Sequence, residues 1–230
     1  YGGRPHAEYN AISNCLDNLK GSKMYITLEP CNHYGKTPPC TKNIIKNKIN
    51  EVYYSIDDID QKVKGKSYSI LKKNNVKVKK GLLKKEALYL YKSYYLNRKK
   101  KLPYVIGKIA LSKNKIIYSN LSKKITNKTS NKFSHYLRLK SDGILISSRT
   151  LNIDNPQLDC RLDGYMKFSP KRIILDKNLK INLKSNIAKS INNKNTIIFH
   201  DSGNKIKKNF LKKKGAFLIN QPTHKNKIFI

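Results

Sequence analysis

The segment from Pro5 to Cys40 constrains this chain most, because it carries enough ligands to hold one metal ion. His6 lies near its start, and Cys31 and Cys40 follow the short apolar run MYITL. A catalytic zinc site usually takes three protein ligands and leaves the fourth position to water or substrate. Zinc lowers the pKa of such a water to near neutrality. We therefore expect the segment to fold around a catalytic zinc ion held by His6, Cys31 and Cys40.

The residues around these ligands predict how each one is delivered. Pro5 suits the first turn of a helix, where its missing N–H costs nothing. The run Met24–Leu28 predicts a buried strand that ends just before Cys31. The prolines before Cys40 predict that this cysteine begins the next helix, a position that lowers the pKa of a thiol and favours metal binding.

Glu8 is the candidate for proton transfer at this site. It follows His6 by two residues, so both belong to the first turn of the predicted helix. A carboxylate used as a fourth ligand would close the site, whereas a free one can relay protons. The pattern HxE followed by PC matches the zinc deaminase signature, although eight residues rather than two separate the cysteines. A closed structural site with His33 as fourth ligand is the alternative.

The interval between the cysteines, CNHYGKTPPC, resembles the deaminase half of the bifunctional riboflavin-biosynthesis deaminase–reductases. The resemblance implies zinc ligation and acid–base catalysis by the four residues named above. It also implies that His33 and Lys36 hold the phosphoribosyl part of the substrate. The implied reaction is the hydrolytic removal of an amino group from a diaminopyrimidinone that carries a ribosylamino 5-phosphate.

The second half of the chain resembles the reductase domain of the same family, which is similar in fold to dihydrofolate reductase. The shared pattern, LRxxSDxIL followed by TxxxDxPxLxxR, runs from Leu137 to Arg161. The resemblance implies the reduction of a ribosyl group to ribityl. It implies NADPH binding by Lys124, Thr150 and Asp154. It implies a sugar-phosphate site lined by Ser122, Arg138, Leu158 and Arg161. A guanidinium suits that site, because it can bind phosphate through two parallel N–H donors.

The chain departs from the reductase pattern at two places. Residues 112–115 read SKNK where the family usually has SxDG, and Lys124 stands where it usually has tryptophan. Three alternatives stay open: a deaminase with an inactive reductase half, a zinc deaminase of nucleic-acid bases, and a non-enzymatic zinc-stabilised binding module. Because the family extends beyond both ends of this sequence, we expect the chain to be a piece of a longer protein.

The charge of the chain does not by itself identify a partner. A formal net charge of +35 over 230 residues would ordinarily favour nucleic acid or an anionic membrane surface. The lysines are spread over the whole chain among many asparagines and isoleucines, as A- and T-rich coding DNA would produce. We therefore expect no specific nucleic acid as partner. The resemblance implies a small phosphoribosyl pyrimidine instead, with a homo-oligomer left open.

The composition also indicates the cellular compartment. Four cysteines, two of them assigned to zinc, argue against a disulfide framework and favour the reducing cytoplasm. No apolar run approaches the roughly 20 residues that cross a bilayer, so no membrane partner is expected.

Alternation of predicted strands and helices favours an α/β protein. The basic patch at residues 98–101 predicts a boundary between two domains. The resemblance implies that residues 1–100 form a cytidine-deaminase-like three-layer domain dependent on zinc. It implies that residues 101–230 form a truncated dihydrofolate-reductase-like α/β domain dependent on NADPH. Further expectations are a helix over 6–20 with Cys15 buried, one helix over 84–99, a buried strand in PYVIGKIALS, and a polar turn after GILI.

Overall fold

The computed structural model describes residues 5–35, 37–117, 125–224 and 227–228. The chain divides into two compact units, Tyr1–Lys108 and Ile109–Ile230, and each contains its own parallel sheet. The assignment of one activity to 1–100 and the other to 101–230 stays a prediction.

The first unit has a three-stranded parallel sheet in the order β1-β2-β3. Parallel neighbours need crossover connections, and here α2 and α3 supply them. The elements are α1 (Ala7–Ser13), β1 (Lys23–Leu28), α2 (Cys40–Lys46), β2 (Glu51–Ile56), α3 (Lys66–Lys73), β3 (Lys77–Lys80), α4 (Lys84–Leu90) and α5 (Lys92–Lys100).

The core of the first unit lies between the central strand β2 and the two crossover helices. Val52 and Tyr54 of β2 are fully buried and pack with Ile44 of α2 and Leu71 of α3. The carboxyl ends of β1 and β2 are thereby fixed relative to the first turns of α2 and α3, which is where the candidate metal ligands lie.

The second unit has a four-stranded parallel sheet in the order β4-β5-β6-β7. Its core contains Leu151, Ile174, Ile198 and Leu211, all fully buried. The elements are α6 (Lys128–Leu139), β4 (Gly143–Ser147), α7 (Ser148–Asp154), a short 3-10 helix (Met166–Phe168), β5 (Lys171–Leu175), α8 (Asn186–Lys189), β6 (Thr196–His200), α9 (Lys205–Lys213), β7 (Phe217–Asn220) and an antiparallel pair β8 (Thr223–His224) and β9 (Lys227–Ile228).

The predicted α/β class is confirmed, because both units alternate strands and helices around parallel sheets. In the part of the chain that the structure describes, no helix is both long and apolar enough to cross a membrane.

Two helix predictions in the first unit are wrong in length. The helix predicted over 6–20 ends at Ser13, and Cys15, predicted to be buried, is exposed. The following residues are rich in Asn and Asp, whose side chains compete with helical hydrogen bonds and favour turns. The helix predicted over 84–99 is two helices that meet at Tyr91, whose hydroxyl bonds Thr27 Oγ1 at 2.8 Å.

The predicted strand in PYVIGKIALS and the predicted polar turn after GILI are also wrong. Residues 103–112 form no strand, and Val105 and Ile106 are 79% and 59% exposed. An apolar extended run becomes a strand only where it finds a ladder partner, and neither parallel sheet includes this run. After β4 the chain forms α7 instead of a turn, because Ser147 Oγ caps the helix by accepting from Thr150 N–H.

Candidate functional site

Three separate elements deliver the predicted metal ligands to one place. His6 immediately precedes α1, Cys31 follows β1 after two residues, and Cys40 is the first residue of α2. One ring nitrogen of His6 and the two sulfur atoms all lie within 4.8 Å of one another. The three ligand atoms therefore lie close together, although the residues that carry them are irregularly spaced in the sequence.

The distances within this triad fit a tetrahedral zinc ion. His6 Nδ1 lies 3.5 Å from Cys31 Sγ and 3.4 Å from Cys40 Sγ. Zinc bonds of about 2.3 Å to sulfur and 2.0–2.1 Å to nitrogen, at a tetrahedral angle, require a sulfur–nitrogen separation of about 3.6 Å. The donor set and its separations thus match one zinc ion bound through His6 Nδ1.

The two thiols hold their protons unequally. The hydrogen bond with the Cys40 thiol is the largest influence on Cys31 and lowers its pKa to about 5. The backbone N–H of Cys40 also donates to Cys31 Sγ at 3.3 Å and lowers that pKa further. The same thiol–thiol bond, followed by burial, raises the pKa of Cys40. Cys31 therefore loses its proton more readily than Cys40, and a bound cation would displace the protons of both thiols.

Glu8 lies beside the triad in the first turn of α1. Burial is the largest influence on its carboxyl group and raises its pKa, and the charge on Cys31 adds to the rise. A carboxyl group in such surroundings takes up and returns a proton at higher pH than an exposed glutamate does. The structure thus brings together all four residues predicted for the deaminase centre.

Glu29 is a site residue that the sequence reasoning missed. Its side chain is only 3% exposed, two residues before Cys31. Oε2 accepts from the backbone N–H groups of Asp58 at 3.1 Å and Gly65 at 3.0 Å, and Oε1 accepts from Ser67 N–H at 3.1 Å. A buried carboxylate needs such partners, and here they join the end of β1 to the first turn of α3. The sequence signal was an acidic residue placed directly before Pro-Cys at a strand end.

The residues on either side of Cys31 are held by further hydrogen bonds. Ser67 Oγ donates to the carbonyl of Pro30 at 2.6 Å, and Asn32 Nδ2 donates to Ser67 Oγ at 3.0 Å. The carbonyl of Cys31 accepts from Thr41 N–H at 3.1 Å. The metal-ligating loop is therefore fixed to both α2 and α3.

His33 lies in the same loop, half-buried, and its Nδ1 is buried without a hydrogen-bond partner among the described residues. A buried ring nitrogen without such a partner, two residues along the chain from Cys31, is suited to receive a ligand. Lys36 lies outside the described residues. Substrate binding by both residues stays a prediction.

In the second unit, Arg138 and Arg161 both contact Asp159. Arg138 Nη1, at the end of α6, donates to the backbone carbonyl of Asp159 at 3.0 Å. Arg161 Nε lies 3.4 Å from the carboxylate of Asp159. Burial lowers the pKa of Arg138, and the nearby charge of Arg161 lowers it further. Two like charges held together in this way form a suitable site for an anion.

Leu158, predicted to line the sugar-phosphate site, has its side chain in the core. It is 5% exposed and belongs to the cluster around Leu151 and Ile174. Its backbone has φ +62°, a left-handed conformation that is uncommon for leucine. In this conformation only backbone atoms are left to contact a ligand.

Thr150 and Asp154 lie on α7, directly after the carboxyl end of β4, and both are exposed. Ligands of open α/β sheets bind outside the carboxyl ends of the strands, so these positions fit a cofactor site. Ser122 and Lys124, the other two residues predicted for the reductase half, lie outside the described residues. NADPH contacts by these residues stay predictions.

Two family models match the chain. Residues 1–56 match the cytidine and deoxycytidylate deaminase zinc-binding region, and residues 115–224 match the RibD C-terminal domain. The riboflavin biosynthesis protein RibD of Bacillus amyloliquefaciens is 37% identical over 187 residues, 80% of this chain and 50% of that protein. RibD of Aquifex aeolicus is 33% identical over 219 residues, 94% of this chain and 61% of that protein. The chain thus spans about half to three-fifths of the length of these curated relatives.

Solved structures agree with the sequence matches. Acinetobacter baumannii RibD superposes with a TM-score of 0.82 at 27% identity, over 96% of this chain and 62% of that chain. A diaminohydroxyphosphoribosylaminopyrimidine deaminase/5-amino-6-(5-phosphoribosylamino)uracil reductase from Thermotoga maritima superposes with a TM-score of 0.75 at 29% identity, over 96% of this chain and 68% of that chain. The predicted family is confirmed: this chain belongs to the RibD family of riboflavin biosynthesis proteins.

Proposed function

We propose that this chain catalyses the zinc-dependent hydrolytic deamination of a diaminopyrimidinone that carries a phosphoribosylamino group. The observation that carries the proposal is the convergence of His6, Cys31 and Cys40 within 4.8 Å, with Glu8 beside them. Zinc, when bound by this triad, supplies Lewis acidity that lowers the pKa of water to about 7. The similarity to the Thermotoga maritima diaminohydroxyphosphoribosylaminopyrimidine deaminase/reductase supports this choice of substrate.

The chain's own residues supply the proton transfers. Glu8 accepts a proton from the attacking water and passes it to the ring nitrogen, then accepts the second proton of the same oxygen and passes it to the departing amine, so that the C–N bond breaks and ammonia leaves. Its raised pKa, caused by burial, suits both directions of transfer. Glu29 holds the Cys31 loop, and Nδ1 of His33, which has no hydrogen-bond partner among the described residues, is available to the substrate.

The second half of the proposal is an NADPH-dependent reduction of the ribosyl group to ribityl. NADPH, when bound, supplies the hydride, and the protein positions the sugar carbon against it. Arg138 and Arg161 would hold the phosphate, while Thr150 and Asp154 would contact the cofactor at the end of β4. The proposed partner is thus a small phosphoribosyl pyrimidine rather than a nucleic acid.

The test is ammonia release by the full 230-residue chain loaded with zinc. The free ribotide is compared with a single-stranded pyrimidine oligonucleotide, and we expect release from the ribotide alone. Glu8→Gln should keep about one zinc per chain and lose at least a hundredfold in turnover, the lower range for a general acid–base group. The matched control is Glu86→Gln on α4, an exposed glutamate that should change neither quantity.

Undiminished turnover in the Glu8→Gln variant would remove that residue from the mechanism. Release of ammonia from the oligonucleotide alone would point to a nucleic-acid deaminase instead. Zinc bound at full stoichiometry with no release from either substrate would favour a structural metal site. Reduction is followed separately, as NADPH consumption with the deaminated product, so that an inactive reductase half leaves the deaminase result intact.

A further inference from the structure

One imidazole in the second unit joins the two arginines of the candidate phosphate site. His135 lies on α6, three residues before Arg138. Its Nδ1 accepts the backbone N–H of Arg161 at 3.1 Å and lies 3.4 Å from Arg138 Nη1. A backbone N–H can only donate, so Nδ1 is unprotonated and the ring is the neutral form with its hydrogen on Nε2.

Further contacts hold the same helix turn against residues 159–161. The backbone carbonyl of His135 accepts from the Cys160 thiol at 3.6 Å, and Cys160 itself is fully buried. Arg138 Nη1 donates to the Asp159 carbonyl at 3.0 Å. His135 is therefore the side chain that sets the Arg161 backbone against α6, while Arg138 is held by the neighbouring carbonyl.

Two guanidinium groups that are held near one another repel each other, and a bound anion would remove this repulsion. Arg138 is half-buried, and Asp159 offers its carboxylate to Arg161. A charged imidazole between the arginines would add a third positive charge, whereas the neutral ring adds none. The neutral His135 ring thus accepts a hydrogen bond without adding positive charge beside the two guanidinium groups. It does not itself bind the anion in their place.

We propose that His135 is a positioning residue for an oxyanion site formed by Arg138 and Arg161, and that the ligand class is a sugar phosphate. This inference rests on the proposed function of the second half of the chain. It adds a residue that neither the reductase pattern nor the ligand chemistry assigns, since His135 acts on the arginines and not on the ligand.

Three substitutions distinguish the effect of the acceptor atom from the effect of the size of the ring. In His135→Asn the amide oxygen can take the place of Nδ1, so the bond to Arg161 N–H is kept. In His135→Gln the amide reaches the place of Nε2 instead, and His135→Leu retains bulk with no acceptor. The probe is ribose 5-phosphate, with inorganic phosphate as a second probe, titrated calorimetrically into the full chain at fixed salt near 150 mM.

We expect wild type and His135→Asn to bind ribose 5-phosphate within about threefold of each other. The Gln and Leu variants should bind about tenfold more weakly, as loss of about one hydrogen bond implies. Arg138→Gln should lose at least as much, whereas Lys140→Gln, at the exposed end of the same helix, should bind like wild type. Neutral ribose serves as the baseline, and amide exchange at Arg161 should speed up in the Gln and Leu variants only.

Equal binding by wild type and by the Gln and Leu variants would overturn the role of His135 while leaving the proposed function standing. An Asn variant as weak as the Leu variant would also overturn it, because the acceptor atom would then not matter. If wild type binds neither phosphate probe, or if Lys140→Gln weakens binding as much as Arg138→Gln, the phosphate site of the proposed reductase half fails as well. Ammonia release by the first half is unaffected by any of these results.

Discussion

Replacing Glu29 with glutamine tests how the metal-ligating loop is held. The substitution keeps the size of a side chain that is 3% exposed and removes its charge. The carboxylate accepts three backbone N–H groups, from Asp58, Gly65 and Ser67. With its oxygen at the Oε2 position, the amide keeps the first two bonds and points its NH₂ group at Ser67 N–H.

The cost follows from these three bonds. A hydrogen bond to a charged partner contributes about 1.5–3 kcal/mol and a neutral one about 1 kcal/mol. Weakening two of these hydrogen bonds and losing the third would together remove about 3–5 kcal/mol of stabilising free energy. A neutral amide costs less to bury than a carboxylate, which offsets part of this loss. We expect the free energy of unfolding to fall by about 3 kcal/mol. A domain with 5–15 kcal/mol of stability stays folded after that loss.

The assay combines urea unfolding with amide hydrogen exchange, in excess zinc and again with chelator. The amides of Asp58, Gly65 and Ser67 should lose protection in Glu29→Gln, and zinc affinity should drop because Cys31 is less well held. Glu86→Gln, at an exposed site on α4, is the control and should stay within about 0.5 kcal/mol of wild type. If Glu29→Gln matches this control, or if its exchange rates and zinc affinity are unchanged, the anchoring role is refuted.

Three further outcomes are expected. Cys40→Ser should reduce zinc from about one ion per chain to a small fraction, measured by elemental analysis after dialysis; full retention would contradict the triad. Arg172→Met should lower the free energy of unfolding by about 3 kcal/mol in urea, since this buried guanidinium donates to Ser190 Oγ, the Ser190 carbonyl and Asn195 Oδ1. Burial, followed by the charge of Lys208, lowers the pKa of His200 in the folded state. The unfolded chain therefore binds more protons below about pH 6.5, and stability present above that pH should be lost as the pH falls. His200→Gln should flatten this dependence between pH 8 and 5.5, and an unchanged slope would contradict it.

The sequence was sufficient to group the three predicted metal ligands and to predict most strands. His6, Cys31 and Cys40 could be grouped because thiolate and imidazole are the ligand types of zinc, and the structure brings their ligand atoms together. The strands β2, β5 and β6 are short apolar runs with turn residues at their ends, and the pattern predicts them nearly to the residue. Such features are local, so a single stretch of sequence contains the information that they need.

Features that depend on distant partners were not predictable. PYVIGKIALS has the composition of a strand, yet strand formation requires a neighbour that no local pattern contains. Leu158 fits the reductase pattern as a ligand contact, whereas its positive φ turns the side chain into the core. The capping of α7 by Ser147 could have been predicted from the sequence, because serine before a helix is a common N-cap.

The positioning residues of both candidate sites share one property that explains why the sequence reasoning passed over them. Glu29 acts on backbone N–H groups 29 to 38 positions away, and His135 acts on a backbone N–H 26 positions away. A backbone N–H is the same in every residue but proline, so nothing in the sequence of the partner segment marks it as the recipient. Ligands and proton carriers must have particular side chains, whereas the groups that receive a positioning bond need none. Side chains predicted to bind the metal or the phosphate can therefore be recognised in a single sequence, whereas those that hold them in place can be recognised only when the fold brings the two segments together.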